Sequence, residues 1–401
     1  MNMAENIGTS QAGSRGESAS ARMARVAEIA AKAAEAVDRE GRFPQETVDA
    51  LRLERLLGIA VPVELGGEGT TTAEIADLIV RLGQACGSSA MIYGMHQIQV
   101  SSLVSHGVGS EWHRAYMRRI AGEQLLLASA TSEAGIGGNL RNSICAVAVA
   151  DDRFSLTKDA TVISYGAHAD AILATARRAP DAASTDQVMV VVPTDDSRTL
   201  ERKSVWDTLG MRGTCSDGFL LSASGAAEQI FPKPFSEIAA QSMLASSHIY
   251  WAATWFGIAA DAFARAQAFV KQAARKQPGV TPPGALRLSE AAAKLHEMKG
   301  HLVAAIRRFE AAGNDDDDLS SIGFAAEINA LKVAASEKAA EVVQLAMLIT
   351  GILGYKNGTP FSVGRHLRDV TSAAVMISND RIHANTSTLL LMSRFDTSLG
   401  G

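Results

Sequence analysis

The sequence predicts an α+β protein in three parts: a helical N-terminal region, a central β-rich module and a C-terminal helical bundle. Three observations carry this. Apolar residues recur at helical spacing over residues 23–126. Between 127 and 235 the segments are short and β-rich, punctuated by Gly, Asp, Asn and Ser. From 236 to 396 the helical period returns in longer stretches joined by short polar loops.

Residues 1–22, rich in Gly, Ser and Ala, lack the apolar core of a signal peptide and read as a flexible tail. "ARMARVAEIAAKAAEAVDREGRFP" follows with helical spacing and is stopped by a Gly and a Pro. "PQETVDALRLERLLGIAVP" repeats the scheme, and "TTAEIADLIVRLGQACGSSAMIYGMHQIQVSSLVSHG" opens on Thr and Glu at capping spacing. In the middle, "NSICAVAVADDRFSLTKDATVIS", "ADAILATARR", "DQVMVVVP" and "DGFLLSASGAAEQIF" read as strands of a barrel or a sandwich. Then come "AAQSMLASSHIYWAATWFGIAADAFARAQAFVKQAARK", "GALRLSEAAAKLHEMKGHLVAAIRRFEAAG" and "SSIGFAAEINALKVAASEKAAEVVQLAMLITGIL". The acidic "NDDDDLSS" between the last two reads as a solvated loop. The expected domains are 23–126, 127–235 and 236–401.

The chain of 401 residues is 47% hydrophobic and 20% charged, an ordinary balance for a soluble globular protein. A net charge of −5 implies no basic face, so nucleic acid is not an expected partner. The apolar runs break before membrane-spanning length. Three widely spaced cysteines, Cys86, Cys145 and Cys215, form no CxxC pair, so no zinc site or disulfide framework is expected. The simplest localisation is cytoplasmic.

Three segments carry candidate chemistry. "TSEAGIGG" places Thr131, Ser132 and Glu133 before Gly135, Gly137 and Gly138, where a backbone can pass close to a flat or phosphorylated ligand. "VIS" ends a strand on Ile163 and Ser164, and "LGMRGTCSDG" is a Gly-, Arg- and Thr-rich turn. Each alone is also what a turn or hairpin loop looks like. Their order, followed by "RKQPG" and by "GILGYKNGTPFSVGRHLRD", resembles the acyl-CoA dehydrogenase superfamily over residues 23–396. Val162 stands where that pattern has Trp, and Pro278 where it has an aromatic.

The resemblance implies a helical domain, a central β-barrel and a four-helix bundle, assembled as a homotetramer with FAD between barrel and bundle. It implies that Thr131, Ser132, Gly137, Ile163 and Ser164 border the flavin ring, that Arg275 reaches the pyrophosphate of a neighbouring subunit's FAD, and that Gly351 and Asn379 line the adenine end. An Arg suits a pyrophosphate. The implied activity is oxidation of the Cα–Cβ bond of an acyl thioester, carried on CoA or a carrier protein, with an electron-transfer flavoprotein as partner.

One element is missing. Removing an α-proton calls for a positioned base. The superfamily's Glu after the "RD" pair falls on Ile377, or on Met376 one place over, and its alternative location falls near Ser247. None accepts a proton. Candidate substitutes are His96 in "YGMHQ" and His248, with Ser164 beside the flavin; Asp261 is the weaker choice. A second reading is a superfamily monooxygenase, which takes reduced flavin (FMN possible) from a reductase and uses O2. A third is a silent homologous subunit. On the first two, His96→Ala should abolish turnover and leave the fold intact.

Overall fold

The computed structural model describes residues 16–137, 139–194, 197–395 and 397. Gly138 and most of the segment read as a tail lie outside the described residues. The N-terminal helices are α1 (Ala19–Glu40), α2 (Gln45–Leu53), α3 (Thr72–Ala85), α4 (Gly87–His106) and α5 (Glu111–Arg119). The first begins inside the expected tail: Ser18 Oγ accepts the Ala21 amide, and buried Arg22 grips Glu68 at 2.6 and 2.8 Å. Gly41 ends it at φ 61°, a left-handed position that favours glycine. Thr71 and Glu74 close a capping box on α3. Helix α4 is apolar nearly all round, and correspondingly it is buried on all sides.

The central strands are β1 (Leu127–Ala130), β2 (Ala148–Ala150), β3 (Arg153–Ala160), β4 (Ala171–Arg177), β5 (Gln187–Pro193), β6 (Ser197–Ser204) and β7 (Gly218–Ala226). They form two sheets, β1-β4-β5 and β2-β3-β7-β6. No closed barrel forms among the described residues, which corrects that detail of the expectation. Two outer strands explain it. β2 is three exposed residues, and β6 presents Glu201, Arg202 and Lys203, charges that blunt an edge against further pairing. By contrast β4 and β5 are buried along almost their whole length and form the core of the module. Strand β1 runs parallel to β4, Leu127 opposite Ala171.

The C-terminal region holds α6 (Phe235–Ile238), α7 (Leu244–Lys276), α8 (Ala285–Ala312), α9 (Asp316–Leu319), α10 (Ile322–Thr350), α11 (Ile352–Tyr355), α12 (Gly364–Thr371) and α13 (Asn379–Met392). Helices α7, α8, α10 and α13 pack as the expected bundle. The acidic segment is not all loop: Asp315 caps α9 and Asp318 pairs with Arg308. α7 also packs on α3 and α4, welding the first domain to the bundle. Small residues permit the crossing. A Cβ on Gly257 would lie 2.5 Å from Val80 O, and one on Gly83 would lie 2.9 Å from Thr254 O.

Candidate active site

The segments expected beside a flavin come together at the end of β1. Ser132 Oγ donates to Val162 O at 2.9 Å and accepts from Val162 N at 3.2 Å. The next residues pair with the LGMRGTCSDG turn: Ile163 N donates to Asp217 O and Tyr165 N to Thr214 O. Tyr165 adopts φ 43°, unusual for a bulky residue, and is held there by its hydroxyl, which donates to Leu127 O at 2.8 Å. Thr131, Ser132 and Ser164 are half-buried, Val162 is 37% exposed, and Ile163 lies beneath. The result is a shallow edge of small side chains with a hydroxyl at its rim. It suits a flat heteroaromatic ring, while Gly137, at φ 59°, has open space around it.

Glu133 is not an active-site acid. Burial alone would raise its pKa. Lys158, 3.1 Å away in the core, and donors from Ser143, Ile144 and Cys145 hold it below the ordinary carboxylate range instead. It folds the glycine loop back onto the sheet.

His96 sits differently from the sequence expectation. It is fully buried, its Nε2–H donates to Leu57 O at 2.8 Å, and its Nδ1 accepts the Leu127 amide at 3.0 Å. Both ring nitrogens are committed to backbone, which leaves neither for a substrate. Burial pulls its pKa down to about 4, so it stays neutral. The geometry makes it a strut joining α4, the segment after α2 and β1, rather than a proton carrier. His248 is also buried and pulled to about 4 by burial. Its Nδ1–H donates to Ile328 O at 3.0 Å, and only Nε2 is left without a partner among the described residues. The neighbouring Tyr250, Trp251 and Trp255 are core residues.

The carboxylates are engaged elsewhere. Asp261 binds Arg265 and His366, each at 2.7 Å. Asp369, half of the "RD" pair, accepts the Met211 amide at 2.7 Å rather than pairing with an Arg, while Arg368 binds Asp38. That pair therefore clamps α12 and α1 to the LGMRGT turn.

At the turn before α13, where the superfamily's base would lie, Ile377 adopts φ 50°. Lys332 of α10 fixes it from below. Its Nζ donates to Ala373 O, Ile377 O and Asn379 Oδ1 at 2.9, 2.6 and 2.6 Å. Burial lowers its pKa to about 8, which leaves it protonated at neutral pH with three donors for three acceptors. Asn379 gives its amide to Ser336 as well, so its side chain faces inward. Lys332 was not singled out from the sequence. The signal was present: it lies on the face of Ile328, Ala335, Ser336 and Ala339, all buried.

Arg275 and Gly351 share one end of the bundle, since a Cβ on Gly284 there would lie 3.2 Å from Val270 and 3.1 Å from Ile349. Arg275 is exposed, forms no ion pair among the described residues, and lies ~36 Å along α7 from Trp251 at the helical rise.

Comparison with known proteins accords with this layout. The profile of the acyl-CoA dehydrogenase N-terminal domain matches residues 18–124, and that of the C-terminal domain matches 238–386. L-evernosamine nitrososynthase of Micromonospora sp. is 27% identical over 359 residues, covering 84% of this chain and 81% of the relative. The probable acyl-CoA dehydrogenase YngJ of Bacillus subtilis is 25% identical over 185 residues, and the match spans about half of each chain (46% and 49%). Among solved structures, FMN-bound TdsC of Paenibacillus sp. A11-2 superposes with a TM-score of 0.79 at 18% identity, covering 94% and 98% of the chains. At that identity the likeness speaks to the fold. Two domain profiles in the right order, on this three-part architecture, place the chain in the acyl-CoA dehydrogenase family, whose members are flavin-dependent oxidoreductases.

Proposed function

We propose that this chain is a flavin-dependent monooxygenase that oxygenates a small, electron-rich amine or sulfur compound with O2, rather than a dehydrogenase of acyl thioesters. The carrying observation is the turn at Met376–Ser378. It bears no carboxylate, and Lys332 locks its backbone. Dehydrogenation needs an acceptor for the α-proton. Of the two candidate histidines, only His248 keeps a nitrogen, Nε2, without a partner among the described residues, and its ring is pulled to about 4, a weak base. Oxygen transfer to a substrate lone pair needs no such base. The naming of full-length relatives as nitrososynthases and of TdsC as a dibenzothiophene monooxygenase supports the same substrate chemistry.

Bound reduced flavin would supply two electrons and the substrate lone pair two more, so that one atom of O2 ends on the substrate and the other leaves as water. The chain's own contribution is positional. Ser132 would hold the Val162 segment through both backbone groups, and Ser164 would meet the ring edge.

The test is a pair of assays on flavin-loaded protein. Anaerobic titration with a panel of acyl-CoAs is expected to leave the flavin absorbance unbleached. Addition of isotopically heavy O2 to the reduced form, with a panel of amino-sugar nucleotides and thioethers, is expected to give labelled product. Bleaching by any acyl-CoA overturns the proposal. Arg275 is proposed to hold the flavin's phosphate from a neighbouring subunit of a homotetramer. Arg275→Ala should then lower flavin retention on gel filtration about tenfold, as expected for a lost charge-assisted contact. Equal occupancy would remove Arg275 from the site.

A further inference from the structure

Behind Ser164 runs a chain of hydroxyls. Ser164 Oγ lies 2.8 Å from Ser216 Oγ, Ser216 Oγ lies 2.9 Å from Thr214 Oγ1, and Thr214 Oγ1 lies 2.9 Å from Met211 O. Ser216 and Thr214 are buried, while Ser164 is half-buried at the rim. Each hydroxyl owns a single hydrogen, and a carbonyl owns none. Three contacts therefore share three hydrogens, and only one assignment gives each contact its own. Thr214 donates to Met211 O, Ser216 donates to Thr214, and Ser164 donates to Ser216. Ser164 then turns only lone pairs outward.

We propose that the Ser164–Ser216–Thr214 chain sets the hydrogen-bond polarity shown to the flavin and selects its reduced form. The inference rests on the reading above that Ser164 borders the ring. Reduced flavin carries an N–H at its central ring, N5, where oxidised flavin carries only a lone pair. An acceptor matches the first and opposes the second. An enzyme that takes up reduced flavin for reaction with O2 gains from this bias. A dehydrogenase, which begins with oxidised flavin, does not.

The size of the bias follows from the far end of the chain. Met211 O also accepts from Thr214 N and Trp206 Nε1, both at 3.1 Å. If the chain reverses, so that Ser164 donates outward, Met211 O loses one donor and keeps two. Reversal thus costs about one ordinary hydrogen bond and not an orphaned buried group, which amounts to about three- to tenfold in affinity.

The experiment measures dissociation constants of oxidised FMN in air and of reduced FMN anaerobically. The proteins are the wild type, Thr214→Val, Thr214→Ser and Ser164→Ala. The wild type is expected to bind the reduced form about three- to tenfold tighter. Thr214→Val removes the anchor, Ser216 turns to Ser164, and the preference should vanish or invert. Tenfold corresponds to about 30 mV in the two-electron potential of the bound flavin. Thr214→Ser keeps the hydroxyl and should keep the preference, while Ser164→Ala should lose it. An unchanged ratio in folded Thr214→Val or in Ser164→Ala overturns the inference. Failure to bind either redox form overturns the flavin reading itself, and with it this one. Bleaching by acyl-CoA with the ratios as expected would sink only the monooxygenase assignment.

Discussion

The His96→Ala protein is expected to be markedly less stable than the wild type, with the activity of its folded fraction largely kept. The substitution deletes an imidazole that bridges Leu57 O and Leu127 N in a site with no solvent access. Leu57 O retains the Gln97 amide at 3.2 Å, so that end stays paired. The Leu127 amide loses its acceptor, which costs about 1–3 kcal/mol for a buried donor. The space left by the ring adds about 2 kcal/mol more. The total of about 3–5 kcal/mol is a large share of the roughly 5–15 kcal/mol that holds a typical domain together. Urea denaturation should report it directly, and Tm should fall by about 5–10 °C. His96→Gln, which carries both a donor and an acceptor, should recover part of the loss. Wild-type melting with abolished turnover would return His96 to the role of proton carrier expected from the sequence.

That reversal shows where sequence reading stopped. The three-part architecture was legible because periodicity is a local property, and the glycine, "VIS" and "LGMRGT" segments were legible because short turns have their own chemistry. His96 was legible as a titratable group on an apolar helix. Its function depends on two backbone groups, 39 and 31 residues away, which have no sequence signature. The same holds for Ser216, which meets Ser164 across 52 residues. Barrel closure was not legible because it depends on which strands pair at the edges. The charges of β6 hinted at an open edge. The missing carboxylate was visible at once, because an absence at a fixed spacing needs no coordinates. What occupies its place, a turn held by Lys332, required the packing of α10 against the segment before α13.

Acid should unfold this protein well before its surface carboxylates titrate. His96 and His248 are neutral and buried, each pulled from 6.5 to about 4 chiefly by burial. Between those values the unfolded chain binds protons that the native state refuses. Stability is therefore fully present above about pH 6.5 and is lost as pH falls toward 4. Each ring accounts for on the order of 3 kcal/mol of that loss. His106 and His113, also pulled to about 4 by burial, act in the same direction. Asp369 opposes them. Burial raises its pKa from 3.8 to about 6, so the native state takes up a proton the unfolded chain lacks and gains stability as pH falls through 6. That gain is also on the order of 3 kcal/mol, so one carboxyl offsets about one histidine and the net change remains a loss. Urea midpoints should therefore drop steeply from about pH 7 to about pH 5. In Asp369→Asn, whose amide oxygen can still accept from Met211 N, the opposing gain is gone and the drop should be steeper. Midpoints that stay level across this range would mean the buried rings take up protons in the native state as readily as in the unfolded chain. His248, whose Nε2 has no partner among the described residues, would then titrate near the ordinary 6.5 and not near 4, and its neutral ring would give the dehydrogenase reading a base.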